Sequence, residues 1–285
     1  MADNPFTETA RKAQAAPDRQ GRNRDWWETK PMTYADWVAE DRLPKDEVDF
    51  LAIEEYVQRT GPWLQDWFER LEIAGQSCLD LGSGSGIFST FLARHKATVT
   101  AMDLTQAGVE LTRRTTRFFG VEAQVIRGDA ERQPFGDDSF DFVYSWGVLH
   151  HTSNMDNALR EVSRILKPGG RGMMMVYHKT SIVYYLHGMF WLIFRRKLFS
   201  GETLSSVQRF YTDGFYHRYL TKSDLGGLLR GAGLEVDAFH STQYEKKILP
   251  VIPSWLDRAL KKRFGMCLIA EFTKPRTEAL GEKPL

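Results

Sequence analysis

Ser77-Cys78-Leu79-Asp80-Leu81-Gly82-Ser83-Gly84-Ser85-Gly86, continued by Ile87-Phe88-Ser89-Thr90-Phe91-Leu92-Ala93-Arg94-His95, decides the fold. SCLDL reads as a short buried strand and IFSTFLARH as a helix, with glycines at 82, 84 and 86 between them. Glycine accepts positive φ and lets the backbone approach a ligand closely. The spacing departs from the dinucleotide fingerprint G-x-G-x-x-G/A, because residue 87 is Ile. The chain also contains no Tyr-x-x-x-Lys, so a short-chain dehydrogenase site is missing.

Outward from this turn the same alternation repeats. TVTAM, AQVIRG, FDFVYS and RGMMMVYH read as further strands, and QAGVELTRRTTRFF and MDNALREVSRIL as helices, with Pro168-Gly169-Gly170 as a turn. SDLGGLLRGAG then reads as a helix, LEVDAFH as a sixth strand and MCLIAEFTK as a seventh. Strands alternating with helices predict a Rossmann-like, doubly wound α/β fold. The expected sheet has seven strands and is mostly parallel. Its last strand is antiparallel, because a Pro-rich basic segment replaces the final crossover helix. Residues 1–24 read as a flexible polar tail, 25–75 as a Trp-rich helical lid, and 76–285 as the main domain with an insert or cap at 179–221.

Composition narrows the function. An apolar fraction of 42% supports a sizeable core, and a net charge of +1 argues against a nucleic-acid partner gripped by its phosphates. Cys78 and Cys267 lie in apolar runs without Cys-x-x-Cys spacing and read as core residues in a reducing compartment. No apolar signal segment opens the chain, and the run from Ile182 to Phe194 is shorter than the roughly 20 residues a bilayer needs. The expected location is cytoplasmic.

Acids fall where ligands bind in such folds. Asp103 ends the second strand, about 20 residues past the glycine turn, where a carboxylate can take ribose hydroxyls. Asp129 follows the third strand and Asp141 opens the fourth.

DLGSGSG at 80–86, Asp103, GDAERQPFGDDSFDFVYSWGVLHH at 128–151 and the helix ending RILKPGG at 170 together resemble the class I S-adenosylmethionine-dependent methyltransferases. The nearer likeness is to their small-molecule branch, which contains the ubiquinone and menaquinone enzymes, and it covers residues 76–178. The resemblance implies S-adenosylmethionine as cofactor and S-adenosylhomocysteine as product. It implies that Gly82, Ser83, Gly84 and Gly86 wrap the methionine part and ribose, and that Asp80 holds the turn near the amino group. Asp103 would bind the ribose hydroxyls, with Leu104 flanking adenine. Asp129 would accept from the adenine amine beside Ala130, and Ser145 would lie near the methionine amino group.

A methyl donor of this kind needs an aligned nucleophile, and a base only where the acceptor arrives protonated. Base candidates are His178 and His217, then His151 of the His150-His151 pair. Ser145-Trp146-Gly147-Val148 stands where an amine or amide methylase carries Asn/Asp-Pro-Pro-aromatic. No acidic triad or zinc-type spacing points to a metal. Trp26, Trp27 and Tyr34 before the core, and Tyr177, Tyr211, Tyr216 and Tyr219 around the insert, are the expected acceptor walls. They predict a small aromatic or apolar acceptor, lipid-like acceptors included, methylated on oxygen or carbon. SIVYYLHGMFWLIF followed by RRK, with SWLDRALKKRF, reads either as cap core or as a surface in peripheral contact with a membrane. A non-catalytic binding module and an NAD(P)-dependent oxidoreductase are the competing readings.

Overall fold

The structure, a computed structural model, describes residues 19–29, 31, 44, 46–60, 62–194, 199, 201, 203–204, 207, 217–242 and 253–276. Helices α1 (Arg19–Thr29), α2 (Glu47–Thr60) and α3 (Pro62–Glu69) precede the sheet. Then come β1 (Ser77–Leu81), α4 (Ile87–Arg94), β2 (Thr98–Asp103), α5 (Gln106–Phe118), β3 (Gln124–Arg127), β4 (Phe140–Trp146), a 3-10 turn (Leu149–His151), α6 (Met155–Ile165) and β5 (Leu166–His178). The chain continues through α7 (Ile182–Ile193), β6 (Tyr219–Leu220), α8 (Lys222–Gly231), β7 (Glu235–Thr242), α9 (Ser254–Phe264) and β8 (Cys267–Thr273).

The main sheet runs β3-β2-β1-β4-β5-β8-β7, with β8 antiparallel to both neighbours and the pairs from β3 to β5 parallel. This is the expected Rossmann-like architecture, with one strand more than the sequence reading counted. The extra strand, β6, is two residues long and pairs with β5 at Tyr177 and His178. Residues 19–24, read from the sequence as tail, form the first turns of α1. Nothing in their own polar pattern signals a helix; the side chains find partners on the sheet edge, described below.

Strand periodicity builds the layers. Leu79, Leu81, Val143, Met174 and Val176 point to the side holding α6 and α8. Cys78, Phe142, Tyr144, Met173 and Met175 point to the other, where they meet Phe50, Ile53, Leu64 and Phe68 of α2 and α3. Alternate side chains thus bury both faces, as a parallel sheet requires. Helix starts are capped: Thr105 Oγ1 accepts from Gly108 N, Asn154 Oδ1 from Asn157 N, and Thr221 and Asp224 form a capping box. Burial pushes the Cys78 and Cys267 thiols up to about 12, as inert core residues. β1 and β4 are the neighbours at which strand order reverses, so a crevice opens at their carboxyl ends.

Candidate functional site

The glycine turn sits at that crevice. Gly82 N and Ser83 N donate to Met102 O of β2 at 2.7 and 3.1 Å, which fixes the turn against the sheet. Gly82, Gly84 and Gly86 all have positive φ. A Cβ on Gly86 would lie 2.7 Å from Thr112 Cα, so this glycine lets α4 and α5 approach each other. Ser83 points the same way, its hydroxyl 2.9 Å from Thr112 Oγ1.

Asp103 ties the turn to α5. Its Oδ2 accepts from Gly84 N at 2.9 Å, and its Oδ1 from Thr105 N and Oγ1 at 2.9 and 2.7 Å. Three of roughly four acceptor positions are therefore taken. Burial raises its pKa, against the Thr105 and Gly84 hydrogen bonds. Asp80 is buried beneath the turn, where Ser89 Oγ donates to it at 2.5 Å. Burial lifts its carboxyl to about 7, with the Ser89 hydrogen bond opposing and Asp103 adding to the rise. Asp141 lies away from the crevice, at the start of β4. Burial would raise its pKa, but Lys167 and the Ser77 N–H outweigh this and hold it below the ordinary value.

One cavity of about 400 Å³ runs from the turn into an apolar chamber. At one end it is lined by Gly82, Gly84, Asp103, Leu104, Gly128 and Ala130, and at the other by Trp146, Met175, Tyr177, Met266, His151 and Trp27. Open backbone and a carboxylate at one end suit the ribose and adenine of the cofactor; aromatic and thioether side chains at the other suit an apolar group.

Helix α1 covers one side of the cavity, contributing Gln20, Asn23 and Trp27 to its lining. Gln20 Nε2 donates to Asp129 Oδ1 at 2.8 Å, and its Oε1 accepts from Ser153 N at 3.2 Å. Glu28 accepts from Gln106 N and Ala107 N, both at 2.9 Å, and so caps α5 directly beyond Asp103 and Thr105. Trp27 donates to Asn23 Oδ1 at 2.9 Å and meets the His151 ring edge-on at 5.2 Å.

The histidines separate by position. His151 lines the cavity and lies 5.9 Å, centroid to centroid, from His217. His217 is buried against Tyr177 and Tyr219, so it backs the chamber wall. His178 does not line the cavity: its Nδ1 is 3.0 Å from Gly265 O and its Nε2 2.7 Å from Thr180 Oγ1. That geometry makes it a peg joining β5 to the end of α9. His150 is fully buried and its pKa falls well below 6.5. Burial is the main cause, and His151, His217 and Arg218 add to it. Arg218 pins the turn by donating to Thr152 O and Ser153 O at 2.6 and 2.7 Å.

Of the other residues singled out from the sequence, Ser145 is buried with its hydroxyl donating to Leu81 O, and Asp129 accepts from Gln20; neither lines the cavity, and neither do Asp80, Ser83 and Gly86. Trp26 and Tyr219 do not line the cavity. Tyr34, Tyr211 and Tyr216 lie outside the described residues. Sequence reasoning missed Gln20, Asn23, Glu28, Met266 and Arg218. Glu28 alone had a local signal, a carboxylate beside the Trp26-Trp27 pair.

A family model described as a methyltransferase domain matches residues 79–174. Over 103 residues the chain is 37% identical to a phthiotriol/phenolphthiotriol dimycocerosates methyltransferase of Mycobacterium tuberculosis, covering 35% of this chain and 37% of that protein. It is 29% identical over 213 residues to a ubiquinone biosynthesis O-methyltransferase of Xanthomonas euvesicatoria pv. vesicatoria, covering 72% of this chain and 79% of that protein. The fold matches an S-adenosylmethionine-dependent methyltransferase from Mesorhizobium loti with a TM-score of 0.54 at 19% identity, covering 76% of this chain and 99% of that one. The mycobacterial match spans little more than a third of that relative's length.

Proposed function

We propose that this chain, which carries a class I S-adenosylmethionine-dependent methyltransferase domain over residues 79–174, transfers a methyl group to a small aromatic or apolar acceptor. Lipid-like acceptors that meet the protein at a membrane surface are included, and oxygen or carbon is the methylated atom. The observation that carries this reading is one continuous cavity joining the glycine turn and Asp103 to the chamber of Trp146, Met175, Tyr177 and Met266. The likeness to relatives named as a phthiotriol/phenolphthiotriol dimycocerosates methyltransferase and a ubiquinone biosynthesis O-methyltransferase supports it.

The residues fit the cofactor. Gly82 and Gly84 leave the backbone open and Asp103 offers its carboxylate to the ribose. Asp129 stands between Gly128 and Ala130, which line the cavity, and would accept from the adenine amine only if Gln20, which donates to its Oδ1, shares it. S-adenosylmethionine, when bound, supplies an electrophilic methyl on a cationic sulfonium. Trp146 and Tyr177 line the same cavity and would offer aromatic rings to that charge. Helix α1 covers part of the cavity and so limits the access of water. His151 is placed to take a proton from an acceptor hydroxyl or acidic carbon at a ring nitrogen. His217 and Tyr177 set the position of its ring. Helices α1 and α2 act as a lid through Gln20, Asn23, Trp27 and Tyr56.

The test is incubation with methyl-labelled S-adenosylmethionine and a panel of phenols, quinols and long-chain alcohols. Label should move into an organic-extractable product. Cofactor binding without transfer to any apolar acceptor would reduce the protein to a binding module, and label in water-soluble amines alone would refute the acceptor class.

A further inference from the structure

A helix on a protein surface normally turns its polar side to water; α7 does the reverse. Its inner face buries Tyr184 and Leu192, while Leu186, Met189, Phe190, Ile193 and Phe194 remain 45 to 75% exposed. Their i, i+3, i+4, i+7, i+8 spacing forms one continuous outer stripe. Among the described residues no helix is long and apolar enough to cross a membrane. At 12 residues, α7 is about 18 Å long, against a hydrocarbon core of about 30 Å.

The surroundings of the stripe carry positive charge. His178 joins the elements: its ring bonds Gly265 O at the end of α9, its N–H donates to Met266 O, and its carbonyl accepts from Ser181 N, the cap of α7. The last turn of α9 therefore adjoins the first turn of α7. That helix exposes Trp255, Arg258, Lys262 and Arg263, while Lys261 is paired with Asp257. Beyond the other end of the stripe the sequence continues Arg195-Arg196-Lys197. The same junction borders the chamber, because Tyr177 and Met266, each next to a junction residue, line the cavity. Tyr184 meets Tyr219 at 4.8 Å, and Tyr219 meets Tyr177 at 5.5 Å, so one row of rings separates the inner face of α7 from the cavity wall.

We propose that the outer face of α7, with the Trp255 face of α9, lies in the interfacial layer of an anionic membrane and holds the acceptor chamber against the lipid that supplies its substrate. This rests on the apolar-acceptor reading and specifies where that acceptor comes from. An apolar face with Trp and basic residues suits the headgroup boundary of anionic lipid. A second copy of the chain fits less well, since pairing two stripes would bring basic segments together at both ends.

The test is sedimentation of the full chain with vesicles of phosphatidylcholine alone or mixed with phosphatidylglycerol. The wild type should pellet with the mixed vesicles and be partly released by high salt. Leu186→Asp with Phe190→Asp, at exposed positions, should weaken partitioning more than tenfold, and Lys262→Glu with Arg263→Glu should remove its salt dependence. All variants should bind S-adenosylhomocysteine as the wild type does, which separates failure of this proposal from failure of the methyltransferase reading. Wild type left in the supernatant, or an aspartate variant that pellets equally, would overturn it. A dimer that the aspartate pair turns into monomers, seen by light scattering, would assign the face to a second copy instead.

Discussion

Glu28→Ala should loosen the cofactor site without touching any residue of the glycine turn. Glu28 bridges two backbone N–H groups at the start of α5, Gln106 and Ala107, each at 2.9 Å. Loss of an acceptor at a helix start costs about 0.5–2 kcal/mol. Glu28 is partly exposed, so about 1 kcal/mol is the reasonable scale after solvent screening. Gln20 supplies the other fastening, on Asp129 and Ser153. With Glu28 gone, α1 should spend about fivefold more time undocked, and S-adenosylhomocysteine should dissociate faster by a similar factor. Gln20→Ala with Glu28→Ala should exceed either single change. Stopped-flow displacement measures the rates, and limited proteolysis near residue 30 reports the docking. Wild-type dissociation with α1 cleaved readily would show that α1 does not retain the cofactor, and the lid reading would fail.

Asp80 predicts a pH dependence of the cofactor-free protein. Its folded pKa of about 7 exceeds the ordinary 3.8, so its contribution to stability is full below the unfolded value and is lost as pH rises through about 7. Thermal midpoints should fall between about pH 4 and 7 and level off above, and Asp80→Asn should flatten that fall; an unchanged slope would place the effect elsewhere. His151→Phe should preserve S-adenosylhomocysteine affinity yet lower turnover on hydroxyl acceptors by about 10²–10⁴, with full turnover in the variant excluding His151 as base. Gly108→Ala sets a methyl 2.4 Å from the Asp103 carboxyl carbon. Affinity should drop at least tenfold in calorimetry although alanine favours the helix, and unchanged affinity would mean that Asp103 need not stay in place.

The parts of the site legible in the sequence are those written as local pattern. β1, its glycine turn and α4 follow one another without a gap, and Asp103 sits where β2 must end. β6 was not legible, because Tyr219 and Leu220 form a strand only by pairing with β5. Helix α1 was hidden for a related reason: Gln20 and Asn23 look like tail residues until Asp129, Ser153 and Trp27 are placed beside them. His178 and His151 both follow strands in the sequence, but only the structure shows one pegged between Gly265 and Thr180 and the other facing the cavity. Met266 closes the chamber from the far end of the chain, a contact no local pattern encodes.

The central claim is that the crevice at the carboxyl ends of β1 and β4 holds S-adenosylmethionine through Asp103. Calorimetric titration of S-adenosylhomocysteine into the wild type and Asp103→Ala, with NAD as control and circular dichroism to confirm folding, tests it most directly. One site should appear in the wild type, weakened by about 1.5–3 kcal/mol in the variant, the scale of a hydrogen bond to a charged group, with no heat from NAD. Equal affinity in the two proteins, or tighter binding of NAD, would contradict it.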